Sequence, residues 1–165
     1  MQKTGSVLLV DSDEAVLEAN IQALAAYGFQ IATAKSLTEA RLHLSYDTPD
    51  VVVLETVLSD GDGLHFLSEF RKNHLIPVIL LTVKDTHEDR LAGLQAGSND
   101  YMTKPHCTIE LQLRVRSFMY LSKQVKAEAA DKQISRGSLR LDVVAQAAYF
   151  KGEDLRLRKD ARDFD

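Results

Sequence analysis

Cysteine is nearly absent from this chain of 165 residues. The single Cys107 excludes an internal disulfide framework, and no cysteine–histidine spacing suggests zinc. A reducing, cytoplasmic setting is the simple expectation. Long apolar runs are missing too: none approaches the roughly 20 residues that span a bilayer, and residues 1–5 lack the apolar stretch of a signal peptide. No membrane role is expected. No glycine-rich phosphate loop follows the first apolar run, where Asp11 to Ala15 stand, which argues against a nucleotide binder. Positive charge is in short supply as well. The net charge is −4, and residues 1–122 carry 10 Lys and Arg against 16 Asp and Glu, a balance of −6. Residues 123–165 carry 10 against 8, a balance of +2. The first segment is a poor surface for nucleic acid, and the second is only mildly basic.

Hydrophobic content of 45% and charged content of 27% are ordinary for a globular chain, and the length suits one domain or one domain plus part of another. Residues 7–10, 51–54 and 78–81 are short, β-branched and unbroken, which predicts strands buried on both faces of a parallel sheet. These runs stop at Asp11, Glu55 and Thr82, and a weaker run at 99–102 leads to Lys104, with Pro105 directly after it. The carboxyl ends of such strands share one edge, where ligands of open α/β sheets bind. Two carboxylates, a hydroxyl and an ammonium therefore converge.

Helical spacing fills the gaps between strands. It covers 13–27, closed by Gly28; 37–44, opened by a Ser36–Glu39 capping box; 64–73; a stretch ending near Gly97; and a long pattern from Thr108 to 132. Residues 30–33 supply a further strand. The alternation predicts a doubly wound, five-stranded parallel (βα)5 domain over 1–122, with 123–137 as helix extension and linker. Residues 138–142, 144–150 and 155–157 suggest a short antiparallel β segment, too small to bury a core alone. The run Asp60–Asp62 with its two glycines lacks the later ligands of a calcium loop and reads as a turn.

The strand-end set Asp11, Glu55, Thr82 and Lys104–Pro105 resembles the receiver domain of two-component response regulators, a flavodoxin-like fold. The resemblance implies that two adjacent acids and an aspartate hold Mg²⁺, that the hydroxyl and lysine contact a phosphoryl group, and that Tyr101 is the aromatic coupled to Thr82. It also implies a cis Lys104–Pro105 bond. Four departures concentrate here. Ser12 stands where a second acid belongs, Glu55 replaces the phosphoacceptor aspartate, Val83 adds bulk after Thr82, and Ser59 replaces a common proline. Glutamate carries its carboxylate roughly 1.5 Å further out, and misplacing a nucleophile by about 1 Å can cost on the order of 10²-fold in rate. Removing an acid weakens a cation site that prefers oxygen ligands.

The reading is an atypical receiver that keeps the fold and works without phosphorylation. Glu55 pairs with Lys104, Asp11 and Glu55 hold Mg²⁺ weakly or not at all, no cofactor is required, and the chain is no enzyme. The alternative is a competent phosphoacceptor using Mg²⁺ and a phosphorylated histidine kinase, with Asp13 or another acid filling in for Ser12. A small flavodoxin-like enzyme is disfavoured by the missing glycine loop. His106 borders the pocket, and the other histidines are scattered.

Residues 138–157 and the tail 155–164 resemble the start of the winged-helix effector of OmpR/PhoB-type transcription regulators, which places a truncated effector at 138–165. DNA contact would come only through the part of that effector lying beyond this chain. The same resemblance implies a homodimer through the fourth helix, fifth strand and fifth helix. Arg90 and Glu110 match one charge pair of that face; Asn99 replaces an acid opposite Arg114, and Leu121 replaces a base opposite Asp100. Exposed pairs contribute about 0–1 kcal/mol each, so these losses weaken specificity more than contact.

Overall fold

A computed structural model describes residues 4–131 and the short segments 133–136, 139–142, 147–150 and 153–154. The chain divides into two units, 1–122 and 123–165. In the first, β1 (Ser6–Val10), β2 (Gln30–Ala34), β3 (Val51–Leu54), β6 (Val78–Thr82) and β7 (Asp100–Thr103) form one sheet in the order β2-β1-β3-β6-β7. All its pairings are parallel. The apolar runs are unbroken because both faces are covered. Val7, Leu9, Val51, Val53, Ile79 and Leu81 enter one core, and Leu8, Val10, Val52, Leu54, Val78 and Leu80 enter the other.

Five helices supply the covering layers: α1 (Glu14–Ala25), α2 (Leu37–Tyr46), α3 (Gly63–Arg71), α4 (His87–Ala96) and α5 (Thr108–Asp131). Leu17 and Leu24 of α1 join Leu111, Val115 and Met119 of α5 on one face. Leu37 and Ala40 of α2 join Phe66, Leu67 and Phe70 of α3 on the other. The expected doubly wound arrangement is what the chain adopts. No helix among the described residues is long and apolar enough to cross a membrane.

Caps differ from the sequence expectation at one helix. The Ser36 hydroxyl accepts from the Glu39 N–H at 3.1 Å, but the Glu39 carboxylate reaches back to the Lys35 N–H at 2.7 Å, one residue too far to close a box. The reciprocal capping box lies instead at the start of α4, between Thr86 and Asp89. Asp60 sits at the tip of a small hairpin of β4 (Val57–Leu58) and β5 (Gly61–Asp62). Its carboxylate accepts from the N–H groups of Leu37 and Thr38, both at 2.9 Å, and from the Thr38 hydroxyl at 2.8 Å. Those N–H groups hold its pKa down at about 2. Asp62 caps α3 through the Leu64 N–H. The acidic run is thus a turn whose carboxylates cap two helices.

At the opposite rim of the sheet, Arg71 at the end of α3 ties the starts of two strands together. Its guanidinium donates to the carbonyls of Gly97 at 2.8 Å and Ile76 at 2.6 Å, and to Asn99 Oδ1 at 2.6 Å. The same Asn99 oxygen accepts from the Val78 N–H at 2.9 Å.

The second unit contains an antiparallel sheet in the order β11-β10-β9-β8, from β8 (Gln133–Arg136), β9 (Leu139–Asp142), β10 (Ala147–Phe150) and β11 (Glu153–Asp154). One expectation is corrected: residues 133–136, placed in the linker, form a strand. The last described strand lies at 153–154. Ile134 is the lone apolar side chain of β8, so that strand takes its register from β9, Gln133 opposite Asp142, and not from a pattern of its own. The strand expected at 155–157 and the tail 155–164 lie outside the described residues.

Candidate functional site

The parallel register brings the ends of β1, β3, β6 and β7 to one edge, and the residues just beyond the strands inherit that position. Backbone bonds fix it: the Asp11 N–H donates to the Ala34 carbonyl, the Glu55 N–H to Val10 and the Lys104 N–H to Thr82. Asp11, Glu55 and Thr82 are 5%, 4% and 0% exposed, so their polar groups must find partners within the protein.

Lys104 supplies the central partner. Its ammonium lies 2.5 Å from Asp11 Oδ2 and 2.8 Å from Glu55 Oε2, bridging the two carboxylates. The other oxygens are also engaged. Asp11 Oδ1 accepts from the Asp13 N–H at 2.9 Å, and Glu55 Oε1 accepts from the N–H groups of Thr56 at 2.6 Å and Val57 at 3.0 Å. Burial alone would raise the Glu55 pKa, but hydrogen bonding from Lys104, Thr82 and the Val57 N–H outweighs it and holds the carboxyl below its ordinary range. Burial likewise works against the charge on Lys104, and Asp11 and Glu55 overcome it and raise its pKa. The Lys104–Pro105 peptide bond is cis.

Mg²⁺ demands near-octahedral oxygen ligands at about 2.0–2.1 Å. The residues as arranged do not fit it. All four oxygens of Asp11 and Glu55 already accept hydrogen bonds, one from each residue going to the same ammonium, and Ser12 contributes no charge and is exposed. Asp13 is committed elsewhere, since its carboxylate caps α1 through the N–H groups of Ala15 and Val16. Among the described residues no group of three or more His, Cys, Asp or Glu could hold a metal ion.

Other candidates lie around this centre. Val83 is 61% exposed beside Thr82. His106 contacts the buried Asn20 at 2.7 Å, and burial followed by the Lys104 charge lowers its pKa. Tyr101 turns its hydroxyl to the Lys84 carbonyl at 2.8 Å, with the Arg90 guanidinium 5.2 Å from its ring centre. Arg90, Tyr101, Glu110 and Arg114 line a separate cleft of about 290 Å³. There Arg114 pairs within the chain, at 2.6 Å to both Asp100 and Glu110. Asn99 faces Arg71 and the Val78 N–H instead of Arg114. Leu121 is exposed.

One pocket residue was not expected from the sequence. Thr56, 2% exposed, donates its hydroxyl toward Glu55 Oε1 at 3.3 Å and lies 2.8 Å from the Thr82 hydroxyl. Its signal was slight: a threonine directly after the acid, in a residue type common in any strand.

Sheet order, doubly wound helices and a strand-end cluster of acid, hydroxyl and lysine define a receiver. The response regulator receiver domain model matches residues 7–116, and the chain belongs to that family. Among characterised proteins it is similar to the transcriptional regulatory protein VxrB of Vibrio cholerae, 31% identical over 158 residues, covering 96% of this chain and 62% of that protein. Among solved structures, the receiver domain of the Francisella response regulator 1452 matches with a TM-score of 0.69 at 30% identity, over 72% of this chain and 98% of that one. DrrB of Thermotoga maritima, an OmpR/PhoB homologue, matches with a TM-score of 0.64 at 26% identity, over 94% of this chain and 67% of that one. This chain therefore spans a little under two thirds of the length of VxrB.

Proposed function

We propose that this chain is the receiver of a transcription regulator and acts without phosphorylation, its pocket fixed by Lys104 bound to Asp11 and Glu55. The single observation that carries the reading is the ammonium bridging both carboxylates, at 2.5 and 2.8 Å. Drawing the ammonium off these buried acids toward a phosphoryl group would leave two uncompensated charges, and a metal would have to displace the ammonium from both. The pocket serves as a static brace. On this reading Glu55, reaching toward Lys104, occupies some of the space a phosphoryl group would fill, and no histidine kinase is needed for output.

The regulatory role follows from the company of the domain. VxrB is a transcriptional regulatory protein, and this chain matches 62% of it and contains a small antiparallel sheet after the receiver. We take residues 138–165 as the opening of a DNA-binding effector. Self-association would use α4, β7 and α5. Arg114 is already paired within the chain, so the exposed Leu91, Leu94, Leu113 and Leu121 carry more of the contact than charge does.

Incubation with a small-molecule phosphodonor and excess Mg²⁺, read by intact mass, tests the central claim. The expected result is an unchanged mass over hours. Stoichiometric addition of a phosphoryl group, lost when Glu55 is replaced by Gln, would establish the competent phosphoacceptor instead.

A further inference from the structure

We infer that Thr56 is a positioning residue: it ties the Glu55 carboxylate to the Thr82 hydroxyl and so holds the segment after β6 from inside the pocket. The inference deepens the phosphorylation-independent reading and rests on it, because a phosphoryl group would compete for the same Thr82 hydroxyl.

Thr56 and Thr82 are 2% and 0% exposed, so bulk water satisfies neither hydroxyl. A carboxylate only accepts, and the Thr56 hydroxyl lies 3.3 Å from Glu55 Oε1. The Thr56 and Thr82 hydroxyls share a hydrogen bond of 2.8 Å, and the Thr82 oxygen accepts from the Lys84 N–H at 3.3 Å. The result is a connected group that runs from the Lys84 N–H through two hydroxyls to the charge on Glu55. Each bond in it polarises the next.

The chain reaches the surface at Lys84. The carbonyl of that residue accepts the Tyr101 hydroxyl at 2.8 Å, and the Tyr101 ring lies under Arg90. Glu55 is thereby connected, contact by contact, to two residues of the separate cleft. Thr56 supplies one of the two hydroxyls in this connection and holds the other in place. Valine has nearly the same shape and suits a strand end as well as threonine. A purely steric role for Thr56 therefore makes valine silent, and a positioning role does not.

The test uses the ¹⁵N-labelled full chain with Thr56→Val, Thr56→Ser and Thr56→Ala. In Thr56→Val the Lys84 amide should exchange with solvent about threefold to tenfold faster, because its acceptor, the Thr82 hydroxyl, loses a hydrogen-bond partner. The Tyr101 ring resonances should move with it. Thr56→Ser keeps the hydroxyl and should match the parent. Should Thr56→Val fail to fold, Thr56→Ala lacks the hydroxyl without a steric objection and is expected to give the same two changes. Parent-like Lys84 and Tyr101 signals in the hydroxyl-free variants would overturn the inference, as would identical changes in Thr56→Ser. Neither phosphodonor nor Mg²⁺ enters this measurement. Phosphorylation in the mass experiment would remove the functional reading, whereas a silent Thr56→Val would remove only the role of Thr56.

Discussion

A buried lysine between two carboxylates is the residue-scale fact from which the chemistry follows. Lys104→Met would leave Asp11 and Glu55 facing each other without a cation, at a cost of about 3–5 kcal/mol. That variant, unlike the parent, should gain thermal stability when Mg²⁺ is added, because a ligand that binds only the folded form shifts the transition upward. Melting with and without Mg²⁺ checks it; a Lys104→Met protein as indifferent to Mg²⁺ as the parent would count against the brace. The positions of Asp11, Glu55 and Thr82 were legible because each apolar run has a sharp polar stop, and Lys104 because Pro105 follows it after a weaker run; sheet topology does the rest. Thr56 was not, since only its burial and the proximity of the Thr82 hydroxyl distinguish it from any other threonine beyond a strand end. The in-chain partners of Asn99 were equally hidden: nothing in sequence relates residue 71 to residue 99 before the fold brings them together.

At the scale of elements, the turn after β3 is held to the pocket by contact as well as by chain connection. A Cβ on Gly63 would stand 2.6 Å from the Glu55 carbonyl oxygen and 2.7 Å from Thr56 Cα, both backbone atoms that cannot swing away. Gly63→Ala should therefore push the start of α3 off the acid and cost about 1–3 kcal/mol, as an overpacked site does. A urea titration measures it through the midpoint. The strands of the first unit were legible because burial on both faces writes a continuous apolar run. Helix starts were less so. Ser36 and Glu39 have the right spacing for a box, yet Glu39 bonds one residue early, and the true box at Thr86–Asp89 lies in a polar stretch with no apolar pattern beside it. For β8 the signal is weaker still, because Gln133–Arg136 becomes a strand through its neighbour.

The whole molecule should report the pocket through its response to acid. A group with a depressed folded pKa stabilises fully above its unfolded value, and that contribution is lost as pH falls through the folded one. Glu55 is such a group, so its share is complete above its ordinary value of 4.5 and fades below it. Lys104 runs the other way: its raised pKa keeps its share complete below 10.5 and loses it only in stronger alkali. Stability should be flat from about pH 5 to pH 10 on account of this pair. Glu55→Gln keeps an acceptor for the Thr56 and Val57 N–H groups but drops the charge, so it should lower the plateau by about 1–3 kcal/mol. Part of the acid slope should go with it. Denaturation curves between pH 3 and pH 8 decide this, and an unchanged slope in Glu55→Gln would assign acid sensitivity to other carboxyls such as Asp60.

Arg71 gives the receiver a mechanical asymmetry. It staples the entrances of β6 and β7 at the rim away from Lys104, through the carbonyls of Ile76 and Gly97 and the side chain of Asn99. With that rim pinned, adjustment at the far ends of these strands can only swing about it. Strand ends released by loss of the Lys104 brace would then move while the entrances stay held, as a door moves at its latch and not at its hinge.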